Sequence, residues 1–167
     1  MLSLESKVHV EGVSGAQVLD FLVHCDDAAY QRWWPGTHLR CHTERRRSDA
    51  LGNVVFMDEH VGGHHLRMRG VVTEWLPGRR LVLQFLAGAR LPAWLVLECD
   101  DDARGTTVRH EVRVGFERAP GTWLDGVWRR VAASTDLPLA LDAHVKEEFP
   151  RLAALLRTGE LSSTAAV

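Results

Sequence analysis

Between Thr37 and Phe116 the chain divides into six strand-length segments: 39–45, 54–61, 66–75, 81–86, 94–99 and 106–116. The separators Leu51-Gly52-Asn53, Gly62-Gly63, Pro77-Gly78 and 102–105 are short and carry turn chemistry. Parallel neighbours would need crossover connections of a dozen or more residues, for which there is no room. The spacing therefore predicts an antiparallel meander, and any helices must lie before or after it.

Both flanks have helical patterning. Val8 and Val10 alternate with polar residues as in a strand, which Gly12 ends, and Ser14 offers a helix N-cap for Val18, Leu19, Leu22 and Val23 at helical spacing. Asp26 caps a second, short helix through Tyr30 and Trp33 that must stop before Pro35. After Pro120 the helical period returns, weakly through Trp123, Val127 and Val131, then strongly through Leu141, Val145, Phe149, Leu152 and Leu156. Pro150 should kink that last helix, because it removes an intrahelical bond and crowds the carbonyl four residues back. No repeat or linker divides the chain, so residues 1–157 read as one domain and 158–167 as a small, polar, frayed tail.

This order defines an α+β chain and resembles the START-like helix-grip fold of the SRPBCC superfamily. The resemblance implies a seven-stranded antiparallel curved sheet wrapped around a long C-terminal helix, with an apolar cavity between them. With 167 residues, 46% of them apolar, such a chain buries roughly two thirds of its unfolded surface and needs neither a disulfide nor a metal merely to fold. Any metal would be there for chemistry.

Charge and cysteine content narrow the function classes. The 20 basic and 22 acidic residues give a formal charge of -2, and the basic ones are scattered apart from Arg45, Arg46 and Arg47, which argues against nucleic acid as a partner. No apolar stretch approaches the roughly 20 residues of a membrane span, and residues 1–11 alternate where a signal peptide would be continuously apolar. A cytoplasmic protein without membrane partners is expected. Cys25, Cys41 and Cys99 form no C-x-x-C pair, so they read as small buried hydrophobes rather than a disulfide framework or thiolate zinc site.

The chemistry-bearing residues lie along the predicted cavity wall. His144 and Glu148, four residues apart, share a helical face and can either hold one ion or form a plain surface pair. They adjoin the stripe of Leu141, Val145, Phe149 and Leu152, which brings them to at least the edge of the buried face. Glu59 is in phase with Val55, Met57 and Val61; it points into the cavity if 54–61 is a regular strand, and outward if the register differs. A buried carboxylate must be neutral, paired or bound to a cation. His38 opens the preceding strand and can neighbour Glu59 across the hairpin. In a regular strand, however, His38 would share a face with Arg40, His42 and Glu44, a conflict that a bulge would remove. His110 alternates with Val108, Val112 and Val114 and should face the cavity, as a core histidine or as a neutral donor to a developing oxyanion.

The segments Phe21, His24, Tyr30, Trp33-Trp34-Pro35 and His38, then Glu59-His60-Val61-Gly62-Gly63, then His144 and Glu148, resemble the motifs of the 2,4-diacetylphloroglucinol hydrolase and phloretin hydrolase family. Those are zinc enzymes on this fold that cleave a carbon-carbon bond between an acyl group and a phenolic ring. The resemblance implies His38, Glu59, His144 and Glu148 as metal ligands, Tyr30 as a substrate-contacting or proton-donating phenol, and His110 as the cavity histidine. The chain is shorter than those enzymes and lacks their N-terminal portion; Cys41 stands where a polar substrate-binding side chain is expected, and Tyr30 is the single tyrosine.

The expectation is a zinc-dependent hydrolase, with Mn2+ or Fe2+ as compatible ions, acting on a small aromatic or apolar acyl substrate. Its rivals are a metal-free START-like carrier of a hydrophobic ligand and a metal-free cyclase or dehydratase using His110 as base. His60, His64 and His65 flank the Gly-Gly turn and read as mostly exposed. The six tryptophans read as core, rim or cavity wall.

Overall fold

The computed structural model describes residues 1–115 and 136–159. Strand β1 (Leu2–Glu11) is followed by helices α1 (Gly15–His24) and α2 (Asp27–Trp33). Strands β2 (His38–Arg45), β3 (Val54–Val61), β4 (His64–Leu76), β5 (Arg80–Ala87), β6 (Ala89–Asp101) and β7 (Gly105–Val114) come next, and helix α3 (Asp136–Thr158) closes the described chain. The sheet order is β1-β7-β6-β5-β4-β3-β2, antiparallel throughout. Six strands form the expected meander, and β1 adds the seventh by pairing with β7 from Leu2 opposite Val114 to Glu11 opposite Gly105. This is the α+β helix-grip architecture implied by the element order. The last strand ends at Val114, one residue before Gly115; Phe116 of the predicted strand, the weak helical period at Trp123, Val127 and Val131, and the tail from residue 160 lie outside the described residues.

The helix starts are those the sequence predicts. Ser14 forms a reciprocal capping box with Gln17, and the Asp26 carboxylate accepts from the Ala29 N–H at 2.7 Å. Helix α3 lays Val145, Phe149 and Leu152 on the sheet, where they meet Leu19 of α1 and Val108 of β7, all nearly or fully buried. Pro150 lies on the exposed side of α3, where water can serve the Lys146 carbonyl that it leaves without an N–H partner, and the helix continues to Thr158. Among the described residues no helix is long and apolar enough to cross a membrane.

Two local irregularities position the functional residues. The β2–β3 ladder pairs His38 with Glu59 but Arg40 with Asp58, so Leu39 is the extra residue of a bulge. The bulge turns His38 inward to 1% exposure and leaves Arg40 on the other face, bonded to Asp58 at 2.8 Å. At the β3–β4 turn Gly62 has φ +58, and a Cβ there would come within 2.9 Å of the Ala140 Cβ. Glycine thus satisfies the turn and also lets the first turns of α3 approach the hairpin that carries Glu59.

The inner face of the sheet differs between its two ends. Val72, Leu81, Leu83 and Leu97 are buried under the helices, whereas Met68, Phe85 and Leu95 are only half-buried. The apolar face is sealed at one end and concave at the other.

Candidate metal centre

Four side chains from three elements converge between α3 and the sheet. His144 and Glu148 lie one turn apart on the buried face of α3, Glu59 projects inward from β3 in phase with Met57 and Val61, and His38 comes from the bulged start of β2. Each offers a donor atom, and the four atoms all lie within 4.8 Å of one another. His38 Nε2 is 3.4 Å from Glu148 Oε1 and 3.7 Å from Glu59 Oε2. His144 Nε2 is 3.8 Å from a carboxylate oxygen of each glutamate. The side chains are 0% exposed for His38, 5% for His144, 10% for Glu148 and 12% for Glu59.

These separations do not describe conventional pairing. Neither His38 Nε2 nor His144 Nε2 makes a hydrogen bond to another described residue, although both are buried and have carboxylates nearby. A tetrahedral ion bound at about 2.0–2.1 Å holds its ligand atoms about 3.3–3.4 Å apart. The four histidine–carboxylate separations, 3.4–3.8 Å, lie at or slightly above that edge length. Two neutral imidazoles and two carboxylates also neutralise a divalent charge, so these residues fit a zinc-type ion.

The electrostatics agree with that fit. Burial pushes the Glu148 carboxyl up to about 8. Burial and the adjacent Glu148 charge push Glu59 up to about 7, against the opposing pull of the Tyr30 hydroxyl bond. Burial lowers His38 to about 4, and burial together with the neighbouring His38 lowers His144 to about 4. Near neutrality the metal-free cluster therefore consists largely of neutral groups, and a divalent cation would enter in exchange for the carboxyl protons.

A shell of aromatic residues holds the four in place. The Tyr30 ring stacks on His38 at 4.0 Å with 6° between planes, and its hydroxyl donates to Glu59 Oε2 at 2.5 Å. Trp33 Nε1–H donates to the Glu148 carbonyl at 2.7 Å. Trp34 stacks on His144 at 4.7 Å, and the Arg151 guanidinium lies 4.9 Å from the Trp34 ring centre. The sequence reading placed Trp33 and Trp34 in the core, rim or cavity wall and within the Trp-Trp-Pro run that leads into His38, without assigning them contacts to the histidines or to Glu148.

The donor atoms face a cavity with two lobes that meet at Met57, Glu59, Leu95, His110 and Leu141. The inner lobe, about 80 Å3, reaches Tyr30, Cys41, His144 and Glu148. The outer lobe, about 370 Å3, opens at the half-buried end of the sheet. His110 is buried where the two join, and burial and the neighbouring His144 lower it to about 4. All six residues singled out in the sequence as catalytic or metal-ligating thus border one cavity or the cluster beside it. His60 and His65 are exposed, with ring centres 4.7 Å apart and planes tilted by 36°, and His65 bonds Asp58 on the outer face of β3, away from the cluster. Cys25 and Cys41 are buried, Cys99 is half-buried, and all three are free.

Fold and site together define an α+β protein of helix-grip architecture with a buried cluster of two histidines and two glutamates. No family model matches the sequence, and no curated protein matches it. Among solved structures the chain is similar to the KanY protein, with 12% identity and a TM-score of 0.61 over 93% of this chain and 97% of that one. A Rhodobacter sphaeroides protein is similar at 16% identity and TM-score 0.59, covering 93% of each chain. A Staphylococcus aureus protein of unknown function is similar at 9% identity and TM-score 0.57, covering 96% of this chain and 97% of that one. At such identities the likeness shows a shared fold.

Proposed function

We propose that the protein is a metal-dependent hydrolase, with zinc as its ion, that cleaves a carbon-carbon bond in a small acyl-phenol or 1,3-diketone. The observation that carries this reading is the convergence of His38, Glu59, His144 and Glu148, donor atoms within 4.8 Å, beside an apolar cavity. The motif resemblance described above, which runs through the same four residues, also supports it. These four residues would hold the ion, which when bound polarises an acyl carbonyl or acidifies a water molecule.

The remaining work belongs to the chain's own groups. Burial and the flanking Glu59 and Glu148 charges keep the Tyr30 hydroxyl well above the usual phenol range, so it retains a proton to give to the departing carbon or enolate. His110 stays neutral near pH 7 and supplies an N–H to a developing oxyanion. Apolar walls exclude bulk water and strengthen both interactions. In the net reaction water gives its hydroxyl to the acyl carbon, the acyl carbon-carbon bond breaks, and a proton completes the carbon leaving group.

Protein purified without chelator should carry about one divalent ion per chain. Loaded protein should release a carboxylic acid from an acyl-phenol or 1,3-diketone, with activity abolished by Glu59→Ala. A chain that takes up neither zinc, manganese nor iron(II) overturns the reading.

The apolar character of both lobes favours a second reading, a metal-free carrier of a small hydrophobic ligand. It predicts ligand binding without chemical change and without any effect of chelator.

A further inference from the structure

The two lobes differ in size and in what they touch. At roughly 30 Å3 per water-sized group, the inner lobe accommodates two or three heavy atoms and the outer lobe on the order of ten. Glu148, His144 and Tyr30 border only the inner one, so a group held there lies against the ligand cluster. The outer lobe is walled by Leu66, Met68, Phe85, Ala93, Val112 and other apolar residues. Arg67 and Arg69 border it too, but both side chains are more than half exposed and are engaged on the opposite sheet face by Asp58 and Glu44. Among the described residues, that leaves Glu59 and His110 as the polar side chains facing the outer lobe, both where it joins the inner one.

A ligand filling this space needs oxygen atoms at the junction and hydrocarbon beyond it. A ring bearing several hydroxyls would place at least one of them against Leu, Met or Phe without a partner, which is costly. We propose that the cavity takes an unsymmetrical lipophilic 1,3-diketone, with an acetyl-sized acyl group in the inner lobe, the dicarbonyl at Glu59 and His110, and an unbranched hydrocarbon arm in the outer lobe. The cleavage of this ligand rests on the hydrolase reading; its binding preference rests on the walls alone. For CH3–CO–CH2–CO–R, water adds hydroxyl to the acetyl carbon, the bond from that carbon to the CH2 breaks, and the released enolate is protonated. The products are acetic acid and CH3–CO–R.

The test is a titration of the full chain, metal-stripped and zinc-loaded, with pentane-, heptane-, nonane- and undecane-2,4-dione and with 2,4,6-trihydroxyacetophenone, followed by tryptophan fluorescence, with acetate measured in parallel. Affinity of the metal-stripped protein should rise about three- to fourfold per methylene until the outer lobe fills. The trihydroxylated ketone should bind at least tenfold more weakly than nonane-2,4-dione, which has one heavy atom fewer. Met68→Gln, which places an amide in the outer wall at similar size, should flatten the length dependence. Affinity independent of arm length, or equal affinity for the trihydroxylated ketone, overturns the proposal on the unmodified chain, whatever the variant does. Length-dependent binding with no acetate from the zinc-loaded protein supports the hydrocarbon lobe and overturns the hydrolase instead.

Discussion

Raising the pH of metal-stripped protein from 6.5 to 8 should destabilise it, against the usual expectation that deprotonating carboxyl groups favours folding. Glu59 at about 7 and Glu148 at about 8 stand above the ordinary value of 4.5, so the native state retains protons that the unfolded chain has already released. The stability from these retained protons is complete below pH 4.5 and is lost as pH rises through 7 and 8. His38, His144 and His110 act in the opposite sense: at about 4 against 6.5, they bind fewer protons when folded, and their penalty disappears as pH passes 6.5. Between pH 6.5 and 8 the carboxyls lose on the order of 2 kcal/mol and the three histidines return on the order of 1, so the net change is a loss.

Urea unfolding in the presence of chelator, at half-unit pH steps, measures this directly. Glu148→Gln removes the larger share of the carboxyl loss and should reverse the sign, so that the variant gains stability over the same interval. Zinc should reverse it in the unmodified chain as well, because the ion binds the ionised carboxylates and its affinity grows as protons leave. At a free concentration about one hundred times its Kd it adds about 2.7 kcal/mol. A metal-stripped protein whose stability is flat or rising from pH 6.5 to 8, or a Glu148→Gln variant that still declines, refutes the assignment of buried, proton-holding carboxyls to this cluster.

Glu148→Ala and His144→Ala should each strip the metal while far-UV circular dichroism stays close to that of the parent; retention of metal by both would reduce the helical pair to an ordinary ion pair. Tyr30→Phe should keep the metal but lose most turnover, and the pH midpoint of metal uptake should move upward, since the Tyr30 hydroxyl bond holds Glu59 lower than burial alone would. Trp34→Ala removes the ring stacked on His144 and should weaken zinc binding by about tenfold without altering the ligand set, read by competition with a chromophoric chelator.

Most of the site was legible in the sequence because face assignment follows from period. Helical spacing puts His144 and Glu148 beside Val145 and Phe149, and strand alternation puts Glu59 with Met57 and His110 with Val108. His38 obeys neither rule. Its inward orientation depends on one extra residue, Leu39, and a bulge belongs to the pairing of two strands rather than to the pattern of one. The stacking of Tyr30 and Trp34 on the histidines, and the division of the cavity into two lobes, are likewise set by how elements approach one another.

The same bulge separates two neighbouring carboxyls chemically. Asp58 and Glu59 are adjacent on β3 and point to opposite faces. Burial opposes the Asp58 charge, yet hydrogen bonds from Arg40 and His65 and the charge of Arg67 hold its carboxyl below the ordinary value. Glu59 instead faces Tyr30, His38 and Glu148, none of them a fixed cation, and rises to about 7. Without the bulge Arg40 would share the inward face with His38 and bring its guanidinium beside Glu59, where a permanent salt bridge would occupy the carboxylate. By turning Arg40 outward to Asp58, Leu39 leaves Glu59 with a proton that a divalent ion can displace.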